Sequence, residues 1–285
     1  MTLLPPMYIN TVVAIGVGEH PNPRHWIGTG FMFGEIVDDK KPDGKKAYRV
    51  WLITNKHVLE DQKKIFLKFN SLQDPKSKDY EVNLLFKNGR PTWIGHPTKS
   101  IDIAALLLNP MFLRGEDRKF DYFRSDQDIL AKDEMISSKI SEGDRIFVLG
   151  FPMGLVDKDR QYVICRGGCI ARISDYLEDH ANDFLIDALV FPGNSGGPVI
   201  LCPSAYSLKG IAPITRSLLL GIVKSYIPYR DIAISPQTND ARIAFQENSG
   251  LAAVEPTSSI LETVEIASKR MKERSNRAKK RANRS

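Results

Sequence analysis

Ser195 lies in the segment Phe191-Pro192-Gly193-Asn194-Ser195-Gly196-Gly197-Pro198. Glycines on both sides of a serine permit backbone conformations closed to other residues. They also let amide N–H groups converge on one point, where a developing oxyanion is stabilised. A serine hydroxyl is a weak nucleophile; it needs a base within hydrogen-bond reach and a third group to orient that base. His57, in Leu52-Ile53-Thr54-Asn55-Lys56-His57-Val58, is the candidate base, because it closes an apolar run able to hold an imidazole rigidly. Asp102, in Ser100-Ile101-Asp102-Ile103-Ala104, is the candidate orienting group. It stands just before IAALLL, where a partly desolvated carboxylate needs a partner such as an imidazole N–H.

Other chemistry-bearing residues form no comparable set. Cys165 and Cys169 are spaced C-x₃-C, but Cys202 stands alone and the histidines are scattered. No metal and no cofactor are therefore expected, and Cys165 and Cys169 read as small buried thiols in a strand. His96, six residues before Asp102, reads as an exposed loop residue; His20, His25 and His180 receive no role. Residues 269–285 carry nine Lys/Arg and one Glu. The rest holds 31 basic and 33 acidic residues, so the net charge of +6 belongs to this tail and not to the body. Such a tail could meet nucleic acid, but it lacks aromatic residues for base stacking, which favours a solvated helix end.

The elements that must position the three residues are mostly strands. Segments 9–19, 28–37, 48–54, 64–69, 103–109, 145–152, 162–173, 184–191, 196–201 and 218–223 are short, rich in β-branched and aromatic residues, and bounded by turn signals. Residues 38–47, with a Pro and an Asp-Gly, read as a hairpin loop. Residues 110–142 are polar and mixed, and read as a connection between two halves. From Thr257 the period changes: Ile260, Val264, Ala267 and Met271 predict a C-terminal helix that Thr257, Ser258 or Ser259 caps, with Glu262 in reach of a capping box. The 285 residues are ample for about two domains. No apolar run suffices for a membrane span. The start MTLLPPMYIN lacks a secretory pattern and cysteines are few, so a cytoplasmic setting is expected.

Thr54-Asn55-Lys56-His57-Val58, Asp102-Ile103-Ala104 and Gly193-Asn194-Ser195-Gly196-Gly197-Pro198, in that order, resemble the chymotrypsin-fold (trypsin-like) serine peptidases, and the bacterial HtrA/Deg branch most. The resemblance spans roughly residues 9–262. It includes Gly28-Thr29-Gly30-Phe31, Gly143-Asp144, Gly150-Phe151-Pro152 and Leu220-Gly221-Ile222. It implies an all-β fold of two six-stranded antiparallel barrels: 1–115 with His57 and Asp102, a connection at 116–142, 143–256 with Ser195, and a helix with basic tail at 257–285.

The implied activity is a serine endopeptidase. Ser195 attacks, His57 shuttles the proton, Asp102 fixes the imidazolium, and the N–H groups of Gly193 and Ser195 form the oxyanion hole. Val190, Ile227 and Leu251 would line an apolar pocket for the residue before the cut, with Tyr226 to Tyr229 on its wall. Asp187 and Glu255 are the carboxylates that could turn into that pocket and favour a basic residue instead. The implied partners are a protein or peptide substrate and an activating or inhibitory protein. The competing reading is an idle peptidase fold that only binds peptides.

Two departures stand out. Asn194 replaces the Asp that pairs with a newly made N-terminal ammonium in peptidases activated by cleavage. After residue 262 too few residues remain for the PDZ module usual in the HtrA branch.

Overall fold

The computed structural model describes residues 3–18, 24–38, 46–203 and 214–282. The loop expected at 38–47 lies largely outside them. The first half holds α1 (Pro6–Thr11), β1 (Val12–Val17), β2 (His25–Asp38), β3 (Ala47–Thr54), α2 (Lys56–Leu59), β4 (Lys64–Ser71), β5 (Lys78–Asn83), β6 (Ile94–Gly95) and β7 (Ala104–Leu107). Its sheet runs β5-β4-β1-β2-β3-β7-β6 and is open, where a closed six-stranded barrel was expected. The physical reason lies between β5 and β6. Thr92 N–H reaches the Leu84 carbonyl at 2.8 Å, and Leu85 and Pro91 form a lone bridge. Proline has no N–H to extend the ladder, and β6 offers only two residues.

The polar connection is more structured than its sequence suggests. It contains α3 (Pro110–Gly115), β8 (Arg118–Lys119), β9 (Phe123–Arg124) and α4 (Lys132–Ser137). β8 pairs with β4 and β9 with β2, so the segment is woven into the first sheet. Phe123 anchors it, fully buried with its ring against Tyr8 and Phe31.

The second half is a closed barrel. β10 (Arg145–Gly150), β11 (Ile164–Arg172), β12 (Phe184–Asp187), β13 (Pro198–Leu201), β14 (Leu218–Ile234) and β15 (Ala241–Pro256) close in the order β10-β11-β12-β15-β14-β13, with α5 (Ser174–Leu177) between β11 and β12. Alternate residues fill it: Ile146 and Val148, Val199 and Leu201, Leu218 and Leu220, Ala252 and Val254. β14 was expected to end near residue 223. It continues with β15 as a two-stranded ribbon, paired from Pro228–Asn248 to Ile234–Ala241, which leaves Tyr229, Ile232, Ile234, Ile243 and Phe245 exposed.

The C-terminal helix, α6 (Thr257–Ala282), buries Ile260, Val264 and Ala267 in a cluster shared with Phe31 of β2 and Leu219 and Ile222 of β14. It thereby packs on both halves. The expected caps serve other partners. Thr257 Oγ1 donates to the Leu130 carbonyl at 2.6 Å, Ser258 Oγ is 3.0 Å from the Tyr176 hydroxyl, and Glu262 faces His96 at 3.3 Å.

Candidate active site

His57 stands in α2, one short turn after β3. Asn55 precedes that turn and sends its amide nitrogen to the Asp102 carbonyl at 2.7 Å, tying the β3–α2 corner to the loop before β7. Asp102 Oδ2 lies 2.5 Å from His57 Nδ1. Its Oδ1 accepts the backbone N–H groups of Lys56 at 2.8 Å and His57 at 3.2 Å. Burial pushes the Asp102 carboxyl up. The His57 ring, its charge and the two N–H donors outweigh burial and hold the carboxyl below its ordinary range. The His57 side chain is 49% exposed, as a group that must meet a substrate requires.

The Ser195 loop joins β12 to β13. Gly193 (φ 97°) and Gly196 (φ 85°) have left-handed backbones, and a side chain on them would strike the carbonyl oxygens of Phe151 and Thr29. Thr29, fully buried on β2, clamps this loop to the first half. Its hydroxyl donates to the Gly193 carbonyl at 2.6 Å and accepts the Phe151 N–H at 3.1 Å. Its N–H donates to the Ser195 carbonyl at 2.9 Å, and its own carbonyl accepts the Thr54 hydroxyl at 2.7 Å. With the Gly193 and Ser195 carbonyls fixed, the N–H groups of both residues bond to no described residue. The Ser195 hydroxyl likewise makes no hydrogen bond among the described residues, His57 included. Asn194 is buried, and its side-chain oxygen accepts the Phe191 N–H at 3.1 Å, so the loop is braced from within.

Val190, Ile227 and Leu251 come from three adjacent segments. Asn248 Nδ2 donates to the Val190 carbonyl and the Ser249 hydroxyl to that of Ile227, both at 2.5 Å, while Leu251 N–H reaches Ser249 Oγ at 3.2 Å. Val190 is buried, and Ile227 and Leu251 are half-buried. Leu189 is exposed, and Asp187 lies with it and Arg166 along a shallow groove. Glu255 does not turn toward this region. It is 1% exposed, and Oε1 accepts the Asp102 N–H and meets Lys224 Nζ, both at 3.0 Å. An ion pair and a buried amide hold it away from any pocket.

Two further expectations are corrected. Cys165 is exposed and Cys169 and Cys202 are half-buried, so they are not core thiols; all three are free. Burial still pushes the Cys202 thiol up to about 11, outweighing the nearby Arg145. His96 is 5% exposed, because α6 covers it, and is no surface loop residue. No group of three or more metal-ligating side chains occurs among the described residues. Thr29 and Lys224 were not legible as site residues, and Glu255 was read only as a carboxylate for the substrate pocket. Gly28-Thr29-Gly30 was visible as a motif, but nothing local marks its hydroxyl as the clamp.

The family model of the trypsin-like peptidase domain matches residues 28–203, more than half of the chain. The chain belongs to the trypsin-like peptidase family. No curated protein matches it. The matched stretch of this trypsin-like peptidase contains His57, Asp102 and Ser195. It stops before β14, β15 and α6, which supply Lys224, Glu255 and the cover over His96. Among the described residues no helix is long and apolar enough to cross a membrane.

Proposed function

We propose that the protein is a serine endopeptidase that cleaves peptide bonds through an acyl-enzyme on Ser195. His57 takes the Ser195 proton as general base and returns it to the leaving amine. Asp102 holds the ring by Nδ1 and stabilises the imidazolium. The N–H groups of Gly193 and Ser195 receive the oxyanion. The observation that carries this reading is the 2.5 Å Asp102–His57 contact, together with a serine loop whose Gly193 and Ser195 N–H groups have no acceptor among the described residues. Val190, Ile227 and Leu251 take an aliphatic side chain before the cut. The test is hydrolysis of peptides by purified protein: Ser195→Ala abolishes it with the fold intact, and cleavage retained by that variant overturns the mechanism.

The Ser195 hydroxyl makes no hydrogen bond to His57 among the described residues, and catalytic hydrogen bonds often tighten only when substrate binds. Substrate closes this one, and an activating or inhibitory protein would act in addition to that step. Asn194, bonded within its own loop, supports activity without N-terminal processing, as in the HtrA branch. The free cysteines fit a reducing, cytoplasmic setting. The same unmade bond is what an idle binding module would present, and the peptide assay separates the two.

A further inference from the structure

Asp102 is held from behind by a charge that plays no part in the triad. Its backbone N–H donates to Glu255 Oε1 at 3.0 Å, across from β15 to the loop before β7. Glu255 is 1% exposed, and its other oxygen, Oε2, has no partner among the described residues. Its counter-charge is Lys224 on β14, whose Nζ lies 3.0 Å from Glu255 Oε1 and 3.2 Å from Asp183 Oδ2. Burial raises the Glu255 carboxyl, and the Asp102 amide and Lys224 oppose that rise. A carboxylate so deeply buried is costly unless it is paired. This one is paired at a single oxygen, which also fixes the backbone of the residue that orients His57.

We propose that Glu255, neutralised by Lys224, is a positioning residue for Asp102: it anchors the Asp102 backbone so that the carboxylate meets His57. The inference rests on the triad reading above and adds a residue outside the matched part of the family. The charged groups facing this pair are Lys224 and Asp183 on its barrel side and Asp102, with His57 beyond it, on the other. Lys56 stands in α2, His96 follows β6, and Glu262 of α6 faces His96. Without the anchor Asp102 drifts from Nδ1, the imidazolium loses its partner, and turnover falls although no substrate contact is removed.

Two double variants differ only in the acceptor. Lys224→Met with Glu255→Met removes the ion pair and leaves the Asp102 N–H unpaired; apolar replacement of a whole buried pair is commonly neutral for folding. Lys224→Met with Glu255→Gln removes the ion pair and keeps an oxygen for that N–H. Active sites are counted with a fluorophosphonate, and kcat and KM are measured per active site. The Met/Met variant loses at least about tenfold in kcat at unchanged KM. The Gln/Met variant recovers most of that loss. Equal kcat in the two variants overturns the proposal, as does a loss explained by fewer active sites alone. A wild-type protein that neither labels nor hydrolyses peptides defeats the triad reading instead, so the two failures are distinct.

Discussion

At the scale of single residues, the site depends on hydrogen bonds that leave no slack. Thr29 is the clearest case, because one hydroxyl holds the Gly193 carbonyl and receives the Phe151 N–H. Thr29→Val keeps the shape and strands both partners, each costing about 1–3 kcal/mol when left buried and unpaired. The expected result is a lower urea midpoint and at least about a tenfold fall in kcat, read by unfolding curves and peptide assays on the same preparation.

Asp102→Asn should lower kcat by about four orders of magnitude, as the wrong ring tautomer does in chymotrypsin-fold peptidases. It should also change how stability depends on pH. The folded carboxyl lies below its ordinary value, so its contribution is fully present above about pH 4 and is lost as pH falls through the lower folded value. The urea midpoints of wild type and Asp102→Asn therefore differ at neutral pH and converge as the solution is acidified; a gap that persists unchanged at low pH contradicts the assignment.

At the scale of elements, pattern and packing divide what the sequence reveals. The strands beside His57 and Asp102 were legible, since β3 is a largely buried apolar run ending three residues before His57 and β7 one that begins just after Asp102. Residues 9–11 read as the start of the first strand, because Ile9 leads into the apolar run of β1, but they close α1 instead. The β14–β15 ribbon was missed because Pro228 and Pro236 break the alternation and its apolar residues face water. The signal was present in Ile232-Ala233-Ile234 and Ala241-Arg242-Ile243-Ala244-Phe245, which flank a Ser-Pro-Gln-Thr-Asn-Asp turn. Glu255 could not be placed from sequence, because its two partners are 31 and 153 residues away.

The helix α6 gives a direct test at this scale. Ser268 is buried, and its hydroxyl bonds Glu35 at 2.6 Å and receives Arg49 Nη1 at 2.6 Å. Truncation after Ala267 removes this network and should lower the melting temperature. Truncation after Arg274 keeps it and should leave both stability and small-peptide turnover unchanged. The pocket segments give another. Ile227 and Leu251 are aliphatic and Glu255 is committed elsewhere, so a peptide library should show aliphatic residues before the cut. Discrimination among them should be soft, about 1–3 kcal/mol per methylene. A preference for Arg or Lys there would implicate Asp187.

At the scale of the whole molecule, the two halves meet through the site. Thr29 of the first half holds the Ser195 loop of the second, and Glu255 of the second holds Asp102 of the first. α6 packs on both. Such a molecule should lose its fold and its activity together, because each half supplies bonds that the other cannot satisfy alone. Overlapping urea transitions for tryptophan fluorescence and for peptide hydrolysis would agree with this coupling. Activity lost well before unfolding would show a site looser than its scaffold.

Activation of Ser195 as a nucleophile is read directly by intact-mass spectrometry after exposure to a fluorophosphonate, because the reagent phosphonylates a serine only where a base and oxyanion donors assist. One adduct per chain is expected, mapped to Ser195, suppressed by a cleavable peptide and absent from Ser195→Ala and His57→Ala. A folded wild-type protein that stays unlabelled at every fluorophosphonate concentration, or labels equally without His57, contradicts an activated Ser195.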